Sequence, residues 1–485
     1  MVIQSSHAHI PVEQRKKILF LCDDFRLPSG IGTMAREIIL NTSHRYKWVN
    51  LGSAINNPDA GKGIIMSPAV NEVTGLSDAD VKLVPWNGYG DPIILRSLIK
   101  SERPDLILHF TDPRFWTWLY DMAHEIRQEI PIAYYTIWDD LPYPHWNKPF
   151  YESCDALWSI SKQTDNIVRN VVDLSKFDRS NLRYIPHGIN PLTYFPIPDD
   201  DTELQNYRRQ LFGDKNDKIE FVVFYNNRNI RRKMTSDLII AFKELCRLAE
   251  LDAPGSTSKF ALVLHTQIAD ENGTDLLAVA KNLAPECNIV FIDKPLETKE
   301  LNYLYNIADV TANIGSNEGW GLSSTESMMA GTVIMNTVTG GLQDQMRFED
   351  QNGNWINFNT DFATNHAGKY PIHGQWALPV YPATRSIQGS LATPYIFDDR
   401  VSWEDVARIL YKFSQTPRAA RKEQGAAGRT WACSSESMMS AKSMSDNFVD
   451  AIDYLLSTWK PRPSATMFKY NQKQQSPLPT GILTK

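Results

Sequence analysis

The chain has 485 residues, 42% hydrophobic and 22% charged, too many for one ordinary core and enough for two folded domains plus a tail. Its formal net charge of -6 argues against a broad basic footprint for nucleic acid, and no stretch approaches the roughly 18 apolar residues of a membrane span. The five cysteines are scattered without a C-x-x-C pair and the first residues lack an apolar signal-peptide core, so free thiols and a cytoplasmic setting are expected.

Residues 1–15 read as a flexible leader. The apolar run at 17–22 predicts a buried parallel strand, followed by Pro28-Ser29-Gly30-Ile31-Gly32 and a helix over 33–40. Further strands are expected at 106–110, 132–137, 156–160 and 183–186, with a helix over 115–126. This alternation predicts a parallel sheet covered on both faces, a first domain over 16–195. Pro191, Pro196, Pro198 and the triplet Asp199-Asp200-Asp201 mark a linker over 196–215; the acids read as solvated rather than metal-binding. The alternation restarts with strands at 221–224, 260–265, 288–292, 310–314 and 333–335 and helices at 235–249 and 298–307, a second domain over 216–435. Residues 350–400 read as an irregular insertion, helices follow at 403–413 and 438–459, and 461–485 read as a flexible tail. Ligands of such sheets bind outside the carboxyl ends of the strands, and two sheets naturally enclose a cleft.

Three constellations carry chemistry. Gly30 and Gly32 precede a helix start, where free backbone N–H groups and the helix dipole suit a diphosphate; a tight turn explains the same glycines. In Tyr225-Asn226-Asn227-Arg228-Asn229-Ile230-Arg231-Arg232-Lys233, cations crowd a strand's carboxyl end, and Arg228 with Lys233 would match a leaving diphosphate. In Asn317-Glu318-Gly319-Trp320-Gly321-Leu322-Ser323, with Glu326 after Ser324-Thr325, two carboxylates flank a Gly-rich loop and a helix start. Carboxylates there can accept bonds from sugar hydroxyls, although Ser323-x-x-Glu326 also fits a capping box. Gly340-Gly341-Leu342-Gln343-Asp344 is another close-approach loop, and His187 in Pro186-His187-Gly188 reads as structural.

Together these segments resemble the retaining glycosyltransferases of the GT-B fold, similar to glycosyltransferase family 4. Glu318 to Glu326 resembles the family's E-x7-E signature, Gly340-Gly341 its following Gly-Gly loop, Arg228 and Lys233 its Arg/Lys pair, Pro186 to Asn190 its segment before the interdomain linker, and Gly30-x-Gly32 its N-terminal Gly loop. The pattern departs at Met234, Val333 and Asp344, and Trp138 or Asp139 stands where many members place a histidine.

The resemblance implies an α/β chain of two Rossmann-like parallel-sheet domains facing a cleft, with residues 436–460 as a terminal helix packing back on the first domain. It implies sugar transfer with retained configuration from a UDP- or GDP-sugar, without metal or other cofactor. Glu318, Arg228, Lys233 and Asp139 are the expected catalytic residues. Gly30, Gly32, Asn227, Gly319, Trp320, Gly321, Leu322, Ser323 and Glu326 are the expected donor-binding residues. His109, Asp112 and Trp138 are the expected acceptor-side residues. A glycan, a lipid or a modified DNA base stays open as acceptor. A transferase acting on a hydroxymethylated DNA base, a non-catalytic sugar-nucleotide-binding or glycan-binding protein, and a nucleotide-sugar epimerase are the competing readings.

Overall fold

The computed structural model describes residues 5–359, 362 and 364–463. Its first sheet contains β1 (Lys16–Asp23), β2 (Tyr46–Ile55), β3 (Ile64–Ile65), β4 (Val81–Asn87), β5 (Leu106–Phe110), β6 (Ile132–Thr136), β7 (Ala156–Ser159) and β8 (Leu182–Tyr184). The spatial order is β3-β4-β2-β1-β5-β6-β7-β8, parallel except for the β3–β4 edge. The second sheet contains β9 (Phe221–Asn226), β10 (Phe260–His265), β11 (Ile289–Ile292), β12 (Val310–Asn313), β13 (Val333–Thr337) and β14 (Ala377–Val380). Its order is β11-β10-β9-β12-β13-β14, parallel throughout. A separate antiparallel hairpin joins β15 (Thr384–Gln388) to β16 (Ile396–Arg400).

The strands are central because their side chains are apolar on both faces. Ile18 to Cys22 on β1 are fully buried, as expected where helices cover a parallel sheet on both sides. β1 lies between β2 and β5, and β9 between β10 and β12. The strand order reverses at each, which opens a crevice at the carboxyl end. The Gly30 loop leaves β1 at one such point, and the Arg231–Lys233 turn follows β9 at the other. The helix Ala441–Thr458 packs against the first domain: Tyr46 Oη donates to Asp453 Oδ1 at 2.7 Å, and the Phe448 ring meets those of Tyr135 and Trp158.

Several segments differ from expectation. Residues 5–15 are not a loose leader: Arg15 is buried and donates to Ile10 O at 2.7 Å and Ser43 O at 2.9 Å, and Ser6 N donates to Asp446 Oδ1 at 2.7 Å. Residues 1–4, and the expected tail from 464 onward, lie outside the described residues. The expected linker contains the helix Thr202–Phe212, capped by Asp201, while Asp199 pairs with Arg418 at 3.1 Å and Lys422 at 3.2 Å. Those two acids therefore have structural partners rather than water alone. The expected helix over 115–126 is broken into a 3-10 turn and two short helices, Thr117–Asp121 and Ala123–Ile126. The expected irregular insertion supplies β14 and the hairpin.

The five cysteines are free, and no helix among the described residues is long and apolar enough to cross a membrane.

Candidate active site

The site begins where β9 runs into a 3-10 turn, Arg231–Lys233, ahead of the helix Thr235–Asp252. Met234, at φ 56°, turns the chain in the left-handed region that favours glycine. That turn aims Lys233 and Arg232 at one acceptor, Glu318 Oε2. Lys233 Nζ donates to it, and Arg232 Nη1 donates to it at 2.7 Å and to Asn317 O at 2.8 Å. Lys233 and Glu318 are buried, with 6% and 7% exposure. Asp139, from the loop after β6, completes the group at 3.9 Å from Arg232.

The electrostatics favour the Glu318 carboxylate. Burial pushes Glu318 up, but the Lys233 and Arg232 charges outweigh it and its pKa falls below the usual glutamate value. Burial and the neighbouring Arg232 lower Lys233 more than Glu318 raises it. Burial raises Asp139, with Arg232 opposing. Two basic side chains thus stand between two carboxylates at the crevice floor.

Glycine allows the chain segments to meet there. A Cβ on Gly319 would lie 2.8 Å from Ile137 O and 3.0 Å from Asp139 Oδ1, and Gly341 N donates to Glu318 O at 2.8 Å. Gly321, at φ 90°, is the N-cap of the helix Leu322–Met329. The capping box expected between Ser323 and Glu326 therefore does not form. Instead Glu326 accepts from Tyr305 Oη at 2.5 Å, and burial pushes its carboxyl up to about 7. The Ser323 hydroxyl and the Asn227 amide nitrogen are buried without a hydrogen-bond partner among the described residues, as are many core polar atoms such as the Trp158 and Trp431 ring nitrogens.

The two domains meet at this point. A Cβ on Gly30 would lie 3.5 Å from Leu322 Cδ1, so the first domain's Gly loop faces the second domain's helix start. Gly32 has a turn role: Ser29 Oγ accepts its N–H at 3.0 Å, and a Cβ there would lie 2.6 Å from Leu27 O. Asp344 joins the domains by accepting from Lys162 N at 2.9 Å and Tyr184 Oη at 3.0 Å.

Other expected residues sit elsewhere. Arg228 is outside the cluster, its exposed side chain paired with Asp270 at 2.7 Å; Arg232 takes the place expected of it. Trp320 is buried and donates from Nε1 to Thr325 Oγ1 at 3.1 Å, so its ring supports the loop from behind. His109 belongs to the core: it is fully buried, hydrogen-bonded to Tyr120 Oη at 2.7 Å, and burial lowers its pKa to about 3. His187 pairs with Tyr135 Oη at 2.8 Å, the structural role expected of it. Asp112 and Trp138 do face open space. Asp112 holds Arg114 Nε at 2.8 Å, and Trp138 donates from Nε1 to Asp140 O at 2.6 Å. Both line a cavity of about 870 Å³ with Arg114, Asp139, Arg232 and the hairpin. A second cavity, of about 760 Å³ around Arg208, Lys259 and Arg418, is lined by none of these residues. Arg232 and Tyr305 were not among the expected site residues. The signal for Arg232 was its adjacency to Lys233 in one tight turn.

Residues 208–367 match the family described as Glycosyl transferases group 1. The chain matches no curated protein. Among solved structures it is similar to the Anabaena protein Alr3699/HepE in complex with UDP and glucose, at 12% identity and TM-score 0.61 over 91% of this chain and 100% of that one. Sucrose-phosphate synthase from Thermosynechococcus elongatus gives 15% identity and TM-score 0.61 over 91% and 100%. An E. coli structure described as trehalose-6-phosphate bound with UDP-2-fluoro glucose gives 12% identity and TM-score 0.58 over 92% and 100%. At these identities the likeness establishes the fold. The chain is thus a GT-B protein of two parallel-sheet domains, and its second domain carries a Glycosyl transferases group 1 segment at residues 208–367.

Proposed function

We propose that the chain is a retaining glycosyltransferase that moves a hexose-type sugar from a UDP- or GDP-sugar to a hydroxyl acceptor. The carrying observation is the shared hold of Lys233 and Arg232 on Glu318, in a crevice whose other wall bears the Gly30 loop. The group 1 segment and the UDP-glucose bound by a structural neighbour support a UDP-sugar as the first donor to test.

In this reading the donor diphosphate displaces Glu318 from Lys233 and Arg232. The freed carboxylate then accepts from hydroxyls of the donor sugar, and Glu326, beside Tyr305, accepts from the ribose diol. The anomeric C–O bond breaks with its electron pair on the phosphate oxygen, where the two cations meet the growing charge. The acceptor oxygen bonds the anomeric carbon on the same face and yields its proton to that phosphate oxygen. Asp139 contacts the transferred sugar or the acceptor. Side-chain cations supply the neutralising charge, so the proposed reaction needs no metal.

The test is nucleotide release from a panel of UDP-, GDP- and ADP-sugars. One donor should be hydrolysed slowly without acceptor, and Lys233→Ala and Glu326→Ala should each abolish that release. Full turnover in both variants would remove these residues from the site.

A further inference from the structure

We propose that the β15–β16 hairpin forms the outer wall of the acceptor site, and that this site takes an uncharged saccharide. The inference rests on the sugar-transfer reading above. The hairpin begins at Thr384, beyond the 208–367 family segment, and bridges the cleft. Asp399 N donates to Ser316 O of the second domain at 2.9 Å, and Phe397 N donates to Leu141 O of the first at 2.7 Å. Tyr395 Oη donates to Tyr143 O at 3.2 Å, its ring lies edge-on to Trp146 at 4.3 Å, and Thr393 accepts from Arg114. A loop tied to both domains by main-chain bonds is a wall of the cleft.

Strand periodicity selects what the wall presents. Ile396, Asp398 and Arg400, two residues apart along β16, all line the 870 Å³ cavity, while Asp399 between them is fully buried on the other face. The cavity also receives Asp139 and Arg232, so its occupant would end beside the reacting group. Its volume lies within the roughly 300–1,000 Å³ typical of small-molecule sites.

The charges choose the occupant. Arg400 Nε holds Asp398 at 3.1 Å on the hairpin, and Arg114 Nε holds Asp112 at 2.8 Å on the first domain. Arg232 is held by Glu318. Arg231 and Glu271 bring the lining to four arginines and four acids. An anionic acceptor would have to break a formed pair to gain Arg114, Arg232 or Arg400, and exposed Arg231 shares the lining with Glu271. A fixed Asp–Arg pair instead offers an acceptor and donors side by side. That arrangement matches neighbouring hydroxyls, each of which both donates and accepts. A nucleic-acid acceptor would need a cationic surplus that this lining lacks.

The test is binding of the full chain, without donor, to an array of neutral, phosphorylated and sulfated glycans plus a hydroxymethylated DNA duplex. Wild type should bind neutral saccharides, and Arg400→Gln and Asp398→Asn, each checked for wild-type melting, should bind about tenfold or more weakly, the loss expected for one charge-assisted hydrogen bond. Binding confined to charged glycans or DNA, neutral binding undiminished in both folded variants, or no glycan binding at all would overturn the proposal. Neutral-glycan binding lost in the variants, alongside failure of every nucleotide sugar to bind, would sink the transferase reading and keep the saccharide site.

Discussion

Replacing Glu318 by glutamine removes the one anion that Lys233 and Arg232 share while keeping its shape. In the donor-free protein Lys233 is 6% exposed, so the substitution strands a buried cation. Breaking a buried pair in this way costs about 3–5 kcal/mol. Arg232 adds little, because its side chain is 36% exposed and water screens it. Taking the lower figure, and about 2–4 °C per kcal/mol for a domain of this size, the variant should melt about 6–12 °C below wild type. A nucleoside diphosphate restores an anion beside the stranded cation. UDP should therefore raise the variant's Tm more than wild type's, while sugar transfer falls because the donor sugar has lost its carboxylate. Thermal melting with and without UDP, together with nucleotide release from UDP-glucose, reads both halves. An unchanged Tm, or a smaller UDP response in Glu318→Gln than in wild type, would refute the anion-exchange reasoning.

Arg232→Ala should lower turnover about 100-fold or more, the usual loss for one group stabilising transition-state charge, while Arg228→Ala should stay within about threefold; nucleotide-release kinetics showing the reverse order would return Arg228 to the site. Glu326 makes the donor-free protein pH-sensitive: its folded pKa of about 7 lies above the unfolded 4.5, so the folded state holds the extra proton and stability falls as pH rises from about 4.5 to 7. Glu326→Gln should flatten that fall, by at most about 3 kcal/mol, in urea unfolding at pH 5 and 7.5; parallel pH profiles would contradict it. His109→Ala should cost roughly 2–4 kcal/mol of stability by emptying a core site and leave KM for donor and acceptor unmoved. A KM effect in a folded His109 variant would reassign the residue to the cleft.

What the sequence revealed depended on how local the determinant was. β1 and β9 are legible because burial on both faces demands a continuous apolar run. β2 and β4 are harder to see, because Lys47, Asn50 and Ser53, and Lys82 and Pro85, interrupt the apolar pattern. Asn50 is tolerated in the core because it donates to Phe20 O at 3.1 Å. The Glu318–Glu326 segment is legible because close approach demands glycine at 319 and 321. Spacing alone favoured Arg228 with Lys233. The 3-10 turn aims Arg232 instead, and Asp270, over forty positions away in sequence, claims Arg228. His109 ends an apolar strand and looked free to face the cleft, but Tyr120 packs over it. The hairpin's position depends on main-chain bonds to Leu141 and Ser316, which no local pattern encodes.

If Lys233 and its neighbours form a nucleotide-sugar site, calorimetric titration of UDP-glucose and GDP-mannose into wild type and Lys233→Ala should show saturable binding of one of the two donors by wild type and at least about tenfold weaker binding by the variant, the loss of one charge-assisted contact. Equal affinity in the two proteins, or no binding of either donor to wild type, would contradict that assignment.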